Sequence, residues 1–222
     1  SILPLPLDAD TEKISGSQLK ELLDSDNRGM QILGSLVYFF EAPQDFERAI
    51  SPEYDASQDV ICKYLQPNSP DIQDCELGAA LLGVVGLRNA SPAVVKHAFA
   101  IVVDQAEAVR ILDLPNIPRE RDQKLFDRHR AAVKYLKECS SSPFPIGMED
   151  LIAGFLEEVA TDGNAINTAS APNYVLRVGA CLEILHEVQK HHALRDNTQQ
   201  LIDRVLVIFE PLGGIPKTRI SD

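Results

Sequence analysis

The residues best suited to metal chemistry lie in the C-terminal third of the chain, where Glu183 and His186 form an ExxH pair. In di-iron helical bundles, two such pairs and two further glutamates converge in the core. This chain has one pair, and Glu183, Glu187 and Lys190 follow a helical spacing that favours ion pairs on a solvated face. We therefore predict no metal site and no cofactor.

Motifs for other reaction types are missing from the sequence. It contains no phosphate-binding glycine loop, no GxSxG elbow and no HExxH. His97 lies in a largely apolar stretch, where a hydrogen-bonded boundary histidine is the common role and a ligand to metal or pigment the rare one. A Cys–His pair that meets in space stays open, because spacing along the chain does not test it. The sequence leans away from an enzyme without deciding the question.

The four cysteines are Cys62, Cys75, Cys139 and Cys181. None forms a CxxC pair, and each lies in an apolar helical context, so we expect free buried thiols rather than a disulfide framework. Free thiols favour a reducing intracellular compartment. The start at Ser1 rather than Met leaves a processed organellar protein as an alternative.

One stretch has binding character, because residues 119–139 hold seven bases and four acids in a chain whose net charge is −12. We predict a surface helix, which is either a solvated face or a docking surface for an acidic protein partner. A solvated face would be stabilised by internal pairs such as Glu120–Lys124 and Asp127–Arg130. Nucleic acid is disfavoured, because nonspecific binding needs a cationic surface. The candidate partner-binding residues are Arg119, Arg121, Lys124, Arg128, Arg130, Lys134 and Lys137.

A second candidate site is a run of small residues that includes Gly78, Gly83 and Gly86. Glycine inside a helix costs roughly 1 kcal/mol relative to alanine, so three glycines in nine residues predict that something approaches this backbone closely. A neighbouring helix is the simpler candidate. A small apolar ligand such as a pigment or lipid is the alternative.

These residues belong to the most apolar stretch of the chain, Ser69 to Leu112. It is predicted to form two long helices joined by a tight turn, and we expect this antiparallel pair to be the nucleus of the fold. Ser69-Pro70 and Ser91-Pro92 each offer a serine N-cap followed by proline at the first helical position. The second helix, through Leu112, is apolar over more than one face and should be buried on several sides.

The whole chain has 222 residues, of which 45% are hydrophobic and 24% charged, and the fold class that it predicts is all-α. No segment shows the alternation typical of strands. Serine-proline starts at Ser51, Ser69 and Ser91 give two helices in 40 residues, which is compatible with a short HEAT- or armadillo-like array. An irregular helical bundle would give similar spacing, and either would contain about 9–10 helices. No apolar run reaches the ~18–20 residues of a membrane-spanning helix, so we expect a soluble protein.

Five segments are expected along the chain. Residues 1–16 form an extended N-terminal arm, whose apolar residues Ile2, Leu3, Leu5 and Leu7 alternate with prolines and should dock on the same domain or on a partner. Residues 17–139 form the main helical domain, and the serine- and proline-rich residues 140–147 form a linker. Residues 148–210 supply C-terminal helices that pack on the main domain, and residues 211–222 form a loose tail.

Three functional hypotheses follow. The first is a non-enzymatic helical scaffold or subunit of a larger assembly that acts through protein–protein contacts. The second is a viral or capsid-like helical structural protein in which arms exchange between copies. The third is a helical binder of an apolar ligand or pigment at the glycine-rich helix.

Overall fold

The computed structural model describes residues 16–41, 52–67, 71–85, 91–113, 120–141 and 147–215. Within these ranges all regular structure is helical, with ten α-helices, two short 3₁₀ turns and no strand. The predicted all-α class and number of helices are confirmed. The helices are α1 Gly16–Leu23, α2 Arg28–Glu41, α3 Pro52–Lys63, α4 Ile72–Val85, α5 Pro92–Val103, α6 Gln105–Asp113, α7 Glu120–Cys139, α8 Met148–Asp162, α9 Ala171–Gln189 and α10 Asp196–Phe209.

The chain divides into two units, residues 1–57 and 58–222, with the division inside α3. In the first unit α1 packs against α2. The side-chain oxygen of Asn27 caps α2 by accepting the N–H of Gly29 at 2.9 Å. Gly34 lets the two helices approach, because a Cβ atom there would lie 2.9 Å from the Cβ of Leu22.

Several predicted segments fall outside the described residues. They include the N-terminal arm with Ile2, Leu3, Leu5 and Leu7, except for Gly16, which begins α1. Most of the expected linker 140–147 and of the tail 211–222 lies outside as well. The five-segment division of the chain therefore stays a prediction.

Helix α7 is the element on which much of the second unit is assembled, since it packs against α4, α5, α6 and α9. Its buried stripe is Leu125, Ala132, Tyr135, Leu136 and Cys139. The prediction that 119–138 is a surface helix is therefore corrected in part, because one face of α7 is buried while Arg130 and Lys134 on another face are exposed. The prediction that α4 and α5 form the nucleus of the fold was wrong, because the described residues of α4 pack chiefly on α7 rather than on α5.

The packing order distinguishes the two architectures that the sequence left open. Helix α4 packs on α7, α6 packs on α9, and α5 contacts α7, α8 and α9. In a solenoid each repeat contacts only its neighbours along the chain. The described helices of the second unit therefore form an irregular bundle rather than a HEAT- or armadillo-like array.

The start of α5 follows the prediction. Ser91 has an extended backbone, its hydroxyl oxygen accepts the N–H of Val94 at 3.4 Å, and Pro92 occupies the first turn. The Ser91 hydroxyl also donates a hydrogen bond to the side-chain oxygen of Gln58. Ser69 and Pro70 lie outside the described residues, and α4 begins at Ile72 with the carboxylate of Asp71 accepting the N–H of Gln73 at 2.8 Å.

The predicted single helix from Ser91 to Leu112 is broken at Asp104, which has φ −66° and ψ 123°. The Asp104 carboxylate then caps α6 by accepting the N–H of Glu107 at 2.7 Å. Helix α9 binds the carbonyls at the break. The Asn173 side chain donates to the carbonyl of Gln105 at 2.9 Å, and Arg177 donates to that of Val103 at 3.1 Å.

All four cysteines are free and buried within the second unit, as predicted. Burial is the main reason why the pKa of the Cys62 thiol rises to about 11 and that of Cys139 to about 12. It raises the pKa of Cys181 further still. These three thiols are therefore protonated in the native state, and burial shields all four.

We expect a thiol reagent such as dithionitrobenzoate to modify none of the four cysteines in the native protein at neutral pH. In denaturing urea all four should react at once, because thiolate formation and access return together on unfolding. The released chromophore counts the modified thiols in each state. Rapid native labelling of Cys62 or Cys139 would contradict the burial described here.

None of the described helices combines the length and apolar character that crossing a membrane requires.

Candidate functional site

A groove of about 660 Å³ lies along the surface between α7 and α9 in the second unit. Its apolar lining consists of Phe126 and Val133 from α7 and Leu176 and Ala180 from α9. Ala180 is buried and the other three are half-buried, so apolar surface remains open to solvent. We call this feature the α7/α9 groove.

The two walls of the groove are built by helical spacing. Along α7 the lining runs from Phe126 to Glu138, and along α9 from Leu176 to Glu187, in steps of three or four residues. Such steps keep side chains on one face of a helix. At 1.5 Å per residue each wall is about 17–18 Å long.

Cations from the predicted basic helix line the α7 wall, namely Arg130, Lys134 and Lys137. Arg130 is exposed and its guanidinium lies 5.7 Å from the centre of the Phe126 ring. Among the described residues, no carboxylate lies within ion-pair distance of Arg130 or Lys137. Lys134 is 3.7 Å from the carboxylate of Glu138 and remains three-quarters exposed.

The α9 wall carries the opposite charge, from Glu183 and Glu187. The Lys190 ammonium donates to the Glu187 carboxylate at 3.0 Å. This hydrogen bond is the main reason why the pKa of Glu187 is lowered. Burial opposes the shift, while the charges of Lys190, Lys137 and His191 reinforce it. Glu187 is therefore ionised at neutral pH, facing the cations of α7.

The other members of the predicted basic set lie elsewhere. Arg119 and the side chain of Arg121 are outside the described residues. Lys124 forms an ion pair with Glu76 of α4. Arg128 cannot dock a partner, because its side chain is fully buried. The alternative Asp127–Arg130 pair is not formed, since the Asp127 carboxylate instead accepts a hydrogen bond from Gln123 at 3.2 Å.

Arg128 forms a buried ion pair with Glu107 of α6, and both side chains have zero exposure. Its Nη1 also donates to the carbonyl oxygen of Tyr64 at 3.5 Å. A buried charge is tolerated only when it is paired and hydrogen-bonded. The pair therefore ties α7 to α6 and to the turn after α3. Neither the burial of Arg128 nor this partner was predicted from the sequence.

Gly78 lies against the same turn. A Cβ atom at this position would overlap the Tyr64 carbonyl oxygen and come 3.4 Å from the Cδ of Arg128. What approaches the glycine is thus a backbone carbonyl, and the space beside it is filled by protein. Gly83 is exposed, and a Cβ atom there would meet no atom of another described residue within 4 Å, while Gly86 lies outside the described residues.

The remaining histidine candidate, His97, has a local role. The His97 Nδ1–H donates to the Ala93 carbonyl at 2.9 Å, within its own helix. In the described parts of the chain, no group of three or more His, Cys, Asp or Glu residues is arranged to hold a metal ion.

The α7/α9 groove thus offers apolar surface flanked by fixed charge of opposite sign on its two walls, which suits binding of an amphipathic molecule. A search of family models, curated proteins and solved structures returned no match to this chain.

Proposed function

We propose that this protein is a non-enzymatic helical scaffold or subunit of a larger assembly that binds a protein partner in the α7/α9 groove. The observation that carries the proposal is the open apolar lining of the groove beside two cations without ion-pair partners in the described structure. Protein interfaces have this organisation, with an apolar centre and a polar, charged rim. Burying the lining would contribute roughly 25 cal/mol per Å² of apolar area.

Rigid walls support this function, because a preformed surface loses little conformational entropy on binding. Helix α7 is fixed by the buried Glu107–Arg128 pair, and α9 is fixed to the α5–α6 break by Asn173 and Arg177. The Arg177 guanidinium also lies 4.6 Å from the centre of the Tyr174 ring and 5.5 Å from that of Phe155.

A small apolar ligand is the second candidate, and the groove volume favours it. A cavity of about 660 Å³ falls within the range of roughly 300–1,000 Å³ that is typical of ligand pockets. The predicted location of such a ligand changes, because Gly78 is covered by the Tyr64 carbonyl. The groove is the place where it would bind.

The test is native mass spectrometry of the tagged protein purified from the cells that produce it. We expect a complex with a second polypeptide that is lost in Val133→Asp, since this change places a charge in the apolar lining. Val207→Asp is the matched control, because Val207 is 66% exposed on α10 and away from the groove. Far-UV circular dichroism and thermal melting establish that both variants are folded.

Two outcomes would contradict the proposal. One is a complex that survives Val133→Asp as well as it survives Val207→Asp. The other is a single chain that carries a small molecule, which would support the ligand-binding alternative instead. A complex made only of copies of this chain would favour the capsid-like alternative.

A further inference from the structure

We infer that the occupant of the α7/α9 groove is an acidic amphipathic helix of a protein partner, oriented with its acidic side toward α7. This inference rests on the proposed function and specifies the chemistry of the partner. It is carried by the arrangement of charges along the groove.

The cations of α7 are spaced for a helix. Arg130 and Lys137 are seven residues apart, so they lie on one face of α7 about 10.5 Å apart along its axis. Lys134 lies between them on the same wall. Acidic residues at positions i, i+3 or i+4, and i+7 of a neighbouring helix have the same spacing. An extended peptide advances about 3.3 Å per residue, so its residues three positions apart would match this spacing. Such residues lie alternately on the two faces of an extended peptide, so they would not all face α7.

The charged residues of the two walls, and the ion pairs that they already form, indicate which charge the partner carries. Arg130 and Lys137 have no carboxylate within ion-pair distance in the part of the chain that the structure describes. On α9, by contrast, Glu187 is already paired with Lys190. Lys137 faces Glu187 across the groove without an ion-pair contact, and Arg130 forms no ion pair among the described residues, so the α7 wall favours a partner whose acidic side faces it.

The apolar lining determines the other face of the partner. Phe126 and Val133 on α7 and Leu176 and Ala180 on α9 would accept side chains at i, i+3, i+4 and i+7, the pattern of a helix in a groove. A groove about 17 Å long accommodates about three turns of helix.

The experiment uses two synthetic helical peptides of identical apolar pattern as probes. One carries Glu at i, i+3 and i+7 beside the apolar stripe and the other carries Lys there, while a third peptide with scrambled order measures nonspecific binding. Fluorescence anisotropy gives the dissociation constants. We expect the Glu peptide to bind at least about tenfold more tightly than the Lys peptide. The preference should shrink as salt is raised from about 0.05 to about 0.3 M.

A charge swap tests the role of α7 directly. The double variant Arg130→Glu/Lys137→Glu should reverse the preference between the two peptides. The control Lys96→Glu/Arg204→Glu makes the same change in net charge at exposed positions outside the groove, and it should keep the original preference. Equal binding of both peptides, no binding of either, or a preference unchanged by the swap would overturn the inference.

A wrong prediction of the partner's acidic helix can be distinguished from a wrong prediction that the groove binds a partner. If the native complex is lost in Val133→Asp but persists in Arg130→Glu/Lys137→Glu, the groove binds a partner and its acidic orientation is wrong. If the complex persists in both variants, the groove is not the contact.

Discussion

Arg128→Ala should lower the free energy of unfolding by about 3–5 kcal/mol, the cost of leaving a buried charge without its partner. The carboxylate of Glu107 would remain at zero exposure without the guanidinium of Arg128 that pairs with it. The Tyr64 carbonyl would also lose a donor. Urea denaturation followed by far-UV circular dichroism measures the change, since the chain contains no tryptophan.

Two further variants make this prediction specific. Arg130→Ala removes the same side chain two residues later on the same helix, but at an exposed position, and it should change stability by less than about 0.5 kcal/mol. The double variant Glu107→Leu/Arg128→Met should recover most of the loss, because apolar residues of similar volume often replace a buried ion pair at little cost. If Arg128→Ala were as mild as Arg130→Ala, the buried pair would not exist as described.

Gly78→Ala should destabilise the protein by about 1–3 kcal/mol, the usual cost of overpacking. Its Cβ atom would overlap the Tyr64 carbonyl oxygen, which is backbone and cannot rotate away. Shifting the Tyr64 carbonyl to relieve this overlap would also displace Arg128, which donates a hydrogen bond to that carbonyl. The same urea denaturation experiment measures the effect.

Gly83→Ala on the same helix is the control and should have the opposite sign. Its Cβ atom would meet none of the described residues within 4 Å, so the substitution gains helix propensity of up to about 1 kcal/mol without a clash among them. Stabilisation by both substitutions would show that Tyr64 does not approach α4 closely.

The helices could be predicted from the sequence because the signals for a helix lie within a short stretch of residues. The serine cap of α5 and the apolar periodicity need only a few neighbouring residues. The break at Asp104 had such a signal too, since Asp104-Gln105-Ala106-Glu107 has the D-x-x-E pattern of an N-terminal capping box. The apolar character of the surrounding stretch concealed it. The carboxylate of Glu107 pairs with Arg128 of α7.

The central position of α7 was missed because its composition is highly charged. One signal was present, since Arg128 falls in the stripe Leu125, Arg128, Ala132, Tyr135 and Cys139, which has the spacing of a buried face. Its partner could not be predicted in the same way. Glu107 lies 21 residues earlier on another helix, and only the packing of α6 on α7 brings the two together.

The candidate site was predicted in part. Arg130, Lys134 and Lys137 were among the residues selected from the basic stretch, and all three line the groove. The opposite wall depends on how α9 packs beside α7, which no local pattern contains. The apolar residues Leu176 and Ala180 looked like ordinary core positions for the same reason.

Site-specific photo-crosslinking inside the producing cells tests the central claim most directly. A photoreactive amino acid at position 133, in the α7/α9 groove, should crosslink to one partner polypeptide, and mass spectrometry of the product should locate the bond in an acidic amphipathic helix. The same amino acid at position 207, on the exposed face of α10, should give no such product. Equal crosslinking from both positions, or none from position 133, would contradict the account.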